Sequence, residues 1–363
     1  MDVLSVFFCK FRPFYPSYND INLKTLFKQA YIKKRSVWLL LVGLAFNLNI
    51  RLVGQDVHFT QFYSNKLYLA SAFAGVNTQN RIIVNYRTQW AGVNGYTTYA
   101  TSYDHNFVKY NSGLGVLVMR DVAGDGNLGS LNAGLHYSYD VSVTPKIHIR
   151  PGVSLSYMQW GVDYSRLYLS TRISQQTLDI LPPDGLTGVE SISGVDASAS
   201  ALMYSKNILA GFNVDHLMRP SMSLLGNKER IPLKYAGFGV LTIYRQSKLI
   251  KPVDETVSIA VIVKGMKQFA QADLGAYWTK LPLIIGLWYR GIPIVNSDRG
   301  DSFAFITGVK VRKFSVGYSF DYPISNLELR KSTGAHEISL ALEFAKQTNS
   351  RKRKMQRVPC PEF

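Results

Sequence analysis

Cysteine is nearly missing from this chain. Its two residues among 363, Cys9 and Cys360, exclude a disulfide scaffold and any cysteine-based zinc cluster. Charge is scarce too: Asp, Glu, Lys and Arg make up 18%, against roughly 25% in a typical soluble domain. No apolar run reaches the about 18 residues that a membrane-crossing helix needs, so a helical bundle is excluded. What is plentiful excludes disorder: 47% of residues are hydrophobic, with 22 Tyr and 19 Phe. A Tyr- and Gly-rich chain with few charges and no helical span keeps one route into a membrane, as a β-barrel.

Catalytic motifs are also lacking. The six histidines are His58, His105, His136, His148, His216 and His336, and no pair stands in a metal-ligand motif such as HExxH. There is no GxSxG, no phosphate loop and no GxGxxG opening a helix. His336 and Glu337 are neighbours, but adjacent strand residues face opposite sides. Gly113-Leu114-Gly115 lies inside a strand pattern and reads as close packing. The expectation is a protein that is not an enzyme, with no cofactor and no metal.

The formal net charge of +17 suggests an anionic partner. Its distribution narrows that idea. Residues 1–35 carry a net +5 and residues 346–363 another +5, which leaves +7 on the body. No nucleic-acid partner is therefore expected. The C-terminal run Arg351, Lys352, Arg353 and Lys354, with Cys360, Pro361 and Phe363 closing the chain, reads as a solvated tail or a partner-docking tail.

The N-terminal region has the pattern of an export signal. Lys33-Lys34-Arg35 precedes the apolar stretch Val37–Phe46, which is too short for a comfortable membrane span. Processing is expected near Val53-Gly54-Gln55, so residues 1–54 form a removed leader and signal peptide. Cys9 leaves with it, and no intrachain disulfide is then possible.

From about residue 80 the apolar period is two. Phe314, Val316, Tyr318 and Phe320 alternate with Ser315, Gly317, Ser319 and Asp321. Ile338, Leu340, Leu342 and Phe344 alternate with Glu337, Ser339, Ala341 and Glu343. About fourteen segments repeat the pattern, near 81–90, 97–107, 112–120, 129–139, 146–160, 196–205, 207–215, 233–245, 256–264, 267–278, 281–290, 302–312, 313–321 and 335–345. Residues 166–195 read as one long loop of the kind found on the external side of outer-membrane barrels.

A soluble sandwich would bury the apolar rows against a second sheet. A membrane barrel turns them to lipid and keeps small and polar residues inside. The small and polar inward rows, the aromatics at strand ends (Trp90, Trp160, Tyr277-Trp278, Trp288-Tyr289) and the export signal favour the barrel. The fold class is thus all-β: a transmembrane antiparallel β-barrel of about 14 strands, with an N-terminal signal peptide and a short basic C-terminal tail. A mature N-terminal segment (55–79) leads into the barrel (80–345), and the tail (346–363) follows. Arg81, Asn85, Arg87, Gln89, Lys310, Arg312, Asp321, Glu337 and Glu343 would face the lumen. There they would pair across strands or line a pore.

Ordered blocks of the sequence carry a family resemblance. Gln55–Tyr63 followed by Asn65–Gly75 resembles the mature start of the PorP/SprF family, QDPxFSQY…NPLYLNPAxAG. Tyr86–Trp90 with Tyr99–Asp104 is similar to its second block. Trp288–Arg290, Gly317–Asp321 and Gly334–Ile338 resemble its late strands, and Cys360–Phe363 its terminal CPxF. The chain departs from the pattern at Val57, Lys66, Ala70 and Ser71, where the family often has Pro, Pro, Asn and Pro. The resemblance implies an outer-membrane barrel of the type IX secretion system of Bacteroidota-type bacteria, a system tied to gliding motility in some members. It implies export or surface attachment of specific cargo such as gliding adhesins, whose C-terminal sorting domain is engaged. It also implies as partners the membrane lipids, the secretion ring and a peptidoglycan-binding subunit. The alternative from strand pattern alone is a transport barrel for small or hydrophobic solutes.

Overall fold

A computed structural model describes residues 56–61, 63–76, 80–90, 92, 95–124, 128–163, 189–221, 230–246, 255–267, 269–293, 302–324 and 333–344. The chain divides into Met1–Asp56 and Val57–Phe363. The leader and signal peptide expected over 1–54 and the tail expected over 346–363 lie outside the described residues.

One antiparallel sheet closes on itself. Its strands are β1 (Asn80–Gln89), β2 (Tyr96–Phe107), β3 (Ser112–Ala123), β4 (Leu128–Tyr139), β5 (Val141–Ser142), β6 (His148–Asp163), β7 (Val189–Tyr204) and β8 (Ile208–Asp215). Then come β9 (Lys234–Gln246), β10 (Glu255–Met266), β11 (Phe269–Lys280), β12 (Leu283–Pro293), β13 (Ser302–Val311), β14 (Phe314–Pro323) and β15 (Ala335–Phe344). β5 is a two-residue extension that pairs with the start of β6. The other fourteen form the wall. β1 pairs with β15 from Asn80↔Phe344 to Gln89↔Ala335, and β4 pairs with β6, which leaves no open edge.

The outward rows explain why this wall belongs in a membrane. Leu135 (63% exposed), Leu155 and Phe305 (55% each) stand out with Val84, Leu241, Ile259 and Leu340 on strands all around the circumference. A soluble protein does not present an apolar band of that extent. Lipid accepts it, because the closed ladder satisfies every strand's backbone groups. The sandwich alternative is thereby overturned: the described residues form one sheet, and its exposed apolar rows point away from the interior.

β1 begins and β15 ends at the same end of the barrel. There the connections are short, as in 108–111, 205–207, 281–282 and 312–313. At the opposite end they include 164–188, 216–233 and 324–334. Short turns mark the periplasmic end of an outer-membrane barrel and long loops the external end.

Two sequence expectations need correction. β7 begins at Val189, so 189–195 is strand and not loop. Its residues break the apolar-out rule, with Ser191 and Ser193 outward and Ile192 inward against Met158, Trp160 and Ile231. The aromatic pairs also divide. Trp278 and Tyr289 face outward, whereas Tyr277 and Trp288 are buried in the lumen at 2% and 1% exposure.

Candidate functional site: a filled lumen

The inward rows are less polar than a water-filled pore requires. Leu202, Leu209, Phe238, Ile262, Ile284, Trp288 and Ile306 all point inward and are buried. Strands that are apolar on both faces are covered on both faces. Here the outer face is the one that lipid would cover, and the segment Val57–Val76 covers the inner one.

This segment is a plug. It carries one helical turn, Lys66–Leu69, and a 3-10 turn, Ser71–Phe73. Its backbone pairs with no strand, so its own turns, as in Ala70 N–H to the Lys66 carbonyl at 3.1 Å, and side chains of the wall share the task of satisfying it. Tyr63 packs edge-on to Tyr277 at 6.4 Å between ring centres and donates its hydroxyl to the Gly239 carbonyl. Phe73 stacks on Phe238 at 5.7 Å. On the opposite wall Phe59, Leu67 and Ala74 pack with Ala100, Leu117 and Met119.

The upper part of the plug is held by ions. Thr60 donates its backbone N–H to Glu337 Oε2 at 2.7 Å, and its hydroxyl lies 2.7 Å from Asp321 Oδ2. Arg87 bridges the two acids, at 2.9 Å from Asp321 and 3.3 Å from Glu337. Arg290 reaches Asp321 Oδ2 at 2.6 Å. Two guanidinium groups thus face two carboxylates on β1, β12, β14 and β15, with Thr60 at their centre. Gln61 accepts from Ser339 Oγ at 2.6 Å and donates to the Glu337 carbonyl at 3.1 Å. Buried charges persist only when paired and hydrogen-bonded in this way.

The lower part is held mostly through its own backbone. Ala72 N–H donates to Ser200 Oγ at 2.9 Å. The Ala74 carbonyl accepts from Arg150 Nη2 at 2.6 Å and from Ser138 Oγ at 2.8 Å. Gly75 N–H donates to Asp104, which is itself paired with Arg81 at 2.9 Å. Glycines in the wall admit this backbone: a Cβ at Gly152 would strike the backbone of Ala72, and one at Gly113 the carbonyl of Ala74. Ser138, Arg150, Asp104 and Ala72 are all at most 2% exposed, so the half of the barrel nearer the short turns is packed around them. Towards the long loops the inward Asn132, Ser154 and Ser156 are half-buried.

The nine residues expected to face the lumen separate into groups. Arg87, Asp321 and Glu337 meet in the ionic cluster, with Gln89 beside it accepting from Arg87 at 3.4 Å. Asn85 donates to Ser64 Oγ of the plug at 3.0 Å. Arg81 sits lower, on Asp104. Lys310 and Glu343 form a separate pair at 3.3 Å. Arg312 departs from the expectation. It is exposed in the β13–β14 turn with φ of 55°, because β13 ends at Val311.

Sequence reasoning missed Thr60, Asp104, Arg150 and Arg290 as lumen groups. Their strand parity could have found the last three, since each lies an even step from an inward neighbour. Thr60 carried no periodic signal. Among the described residues no group of three His, Cys, Asp or Glu side chains could hold a metal ion.

Solved barrels resemble this architecture at low identity. The KdgM porin is 12% identical over 73% of this chain and 99% of that chain, with a TM-score of 0.33. A Pseudomonas aeruginosa FadL homologue is 12% identical over 76% and 92%, with a TM-score of 0.40. The Ralstonia pickettii toluene transporter TbuX is 7% identical over 75% and 91%, with a TM-score of 0.44. No curated protein matches the chain in sequence. The family model for the type IX secretion system membrane protein PorP/SprF matches residues 52–342, and the chain belongs to that family.

Proposed function

We propose that this chain serves type IX secretion as a non-conducting outer-membrane barrel that assists export or surface attachment of specific cargo. The cargo would be large secreted proteins, such as gliding adhesins, that carry a C-terminal sorting domain. The secretion ring and a peptidoglycan-binding subunit would engage it from the periplasm of a Bacteroidota-type cell. One observation carries the non-conducting part of this reading. The plug is fastened at its top to Asp321, Glu337, Arg87 and Arg290 and at its bottom to Ser138, Arg150, Ser200 and Asp104. A barrel so filled lends itself to docking more than to solute flow. The basic tail with Arg351, Lys352, Arg353, Lys354, Cys360, Pro361 and Phe363 is proposed as a docking element. It follows β15 in sequence, and β15 ends at the side with the short turns, which this reading puts in the periplasm.

The test is affinity purification of an internally tagged copy from gently solubilised outer membranes of its own host. Recovery of ring subunits or a large surface adhesin is the expected result. Recovery of the barrel alone at good yield would favour solute transport instead. Deleting residues 346–363 should abolish partner recovery while the barrel still assembles.

A further inference from the structure

The periplasmic end concentrates positive charge that the lumen does not use. Lys109 is exposed between β2 and β3, Lys146 between β4 and β6, and Lys206 between β7 and β8. Arg245 is exposed near the end of β9 and Lys280 at the end of β11. Arg312 and Lys313 form the exposed β13–β14 turn. Each of the six connections at this end, 108–111, 140–147, 205–207, 247–254, 281–282 and 312–313, therefore has a cation in it or beside it.

The acids at this end are engaged or shielded. Asp140 accepts from the Tyr204 hydroxyl at 2.8 Å, Glu343 pairs with Lys310, and Glu255 accepts from Trp278 at 3.0 Å and faces Lys280 at 3.7 Å. No Asp or Glu at this end is exposed among the described residues. Lys206, Arg245, Arg312 and Lys313 have no ion-pair partner among them either.

Aromatic side chains stand beside four of these cations. Tyr110 follows Lys109, whose ammonium lies 5.4 Å from its ring centre. Tyr244 precedes Arg245, Phe314 follows Lys313, and Trp278 stands two residues before Lys280. Outward aromatics mark the interfacial girdle of a barrel. Cations one or two residues beyond it lie at headgroup depth, since a strand rises about 3.3 Å per residue.

We propose that this cationic ring binds anionic phospholipid headgroups, such as phosphatidylglycerol, in the periplasmic leaflet of the outer membrane. The inference rests on the outer-membrane reading. Two features favour lipid over an acidic protein. The cations run around the whole circumference, as a lipid annulus does, whereas a docked protein covers one sector. At four of the six connections they also stand beside an aromatic of the girdle, which a protein partner does not require. Each cation near an anionic membrane surface strengthens the attraction about fivefold.

The experiment uses the full chain purified in mild detergent and offered an equimolar mixture of phosphatidylglycerol and phosphatidylethanolamine. Native mass spectrometry counts the lipids retained. Heat-modifiable gel migration reports barrel closure independently, so loss of the barrel is told apart from loss of lipid preference. The wild type should retain phosphatidylglycerol severalfold over phosphatidylethanolamine, and salt should weaken that preference. The variant with Lys109→Gln, Lys206→Gln, Arg245→Gln, Arg312→Gln and Lys313→Gln should lose it with the barrel still closed. Arg312→Gln with Lys313→Gln alone should reduce it, which keeps the test open if the larger variant fails to close. Equal retention of both lipids by the wild type overturns the proposal. So does a neutralised variant that keeps its lipid preference but loses a co-purifying acidic protein.

Discussion

Thr60 Oγ1 lies 2.7 Å from Asp321 Oδ2, joining the plug to β14 across 261 residues of sequence. The same oxygen lies 2.6 Å from Arg87 Nη1, so it accepts from the cation while donating to the acid. Thr60→Val keeps the shape and removes both roles. Leaving buried polar partners unsatisfied costs about 1–3 kcal/mol. The expected outcome is a lower unfolding temperature in detergent and faster hydrogen exchange at residues 57–61, with barrel closure intact. Unchanged exchange there would show that Thr60 does not fasten the plug.

The ionic cluster is balanced, with Arg87 and Arg290 against Asp321 and Glu337. Asp321→Ala leaves two guanidinium groups facing one carboxylate. Removing one partner of a buried pair costs about 3–5 kcal/mol. Adding Arg290→Met restores the balance and should recover part of the loss. A double-mutant cycle on thermal unfolding measures this coupling, and purely additive losses would count against it.

Gly152 tests the lower seat. A Cβ there meets the backbone of Ala72, which cannot rotate away as a side chain would. Gly152→Val should dislodge residues 70–76 while the outward Val153 and Leu155 keep their lipid contacts. Proteolysis within 70–76 should rise in the variant. Protection equal to wild type would mean that the seat tolerates the added bulk.

The strand pattern was legible because lipid enforces it. Most outward residues on β13 and β14 are apolar, so Phe303, Phe305, Val316 and Tyr318 announce their side. Arg87, Asp321 and Glu337 were legible as inward groups by the same parity. Their meeting was not, because closure brings β1, β14 and β15 together from 250 residues apart. The plug was hidden for a different reason. It pairs with no strand and has no period, so nothing local reveals that Val57–Val76 lies inside. Its trace is in the wall, where Ile259 to Val263 is apolar on both faces. That run signals a covered interior, but strand reading that looks only for alternation passes over it. The 189–195 segment was lost for the converse reason: its outward serines do not follow the rule that holds in lipid.

Conductance in a planar bilayer tests the central claim most directly. The comparison is between the wild type and a variant lacking residues 57–76, both shown to be closed barrels by heat-modifiable migration. The wild type should be silent, and the deletion should give discrete open steps as the sealed half empties. Wild-type steps equal to those of the deletion would contradict a filled lumen and return the barrel to the solute-transport reading.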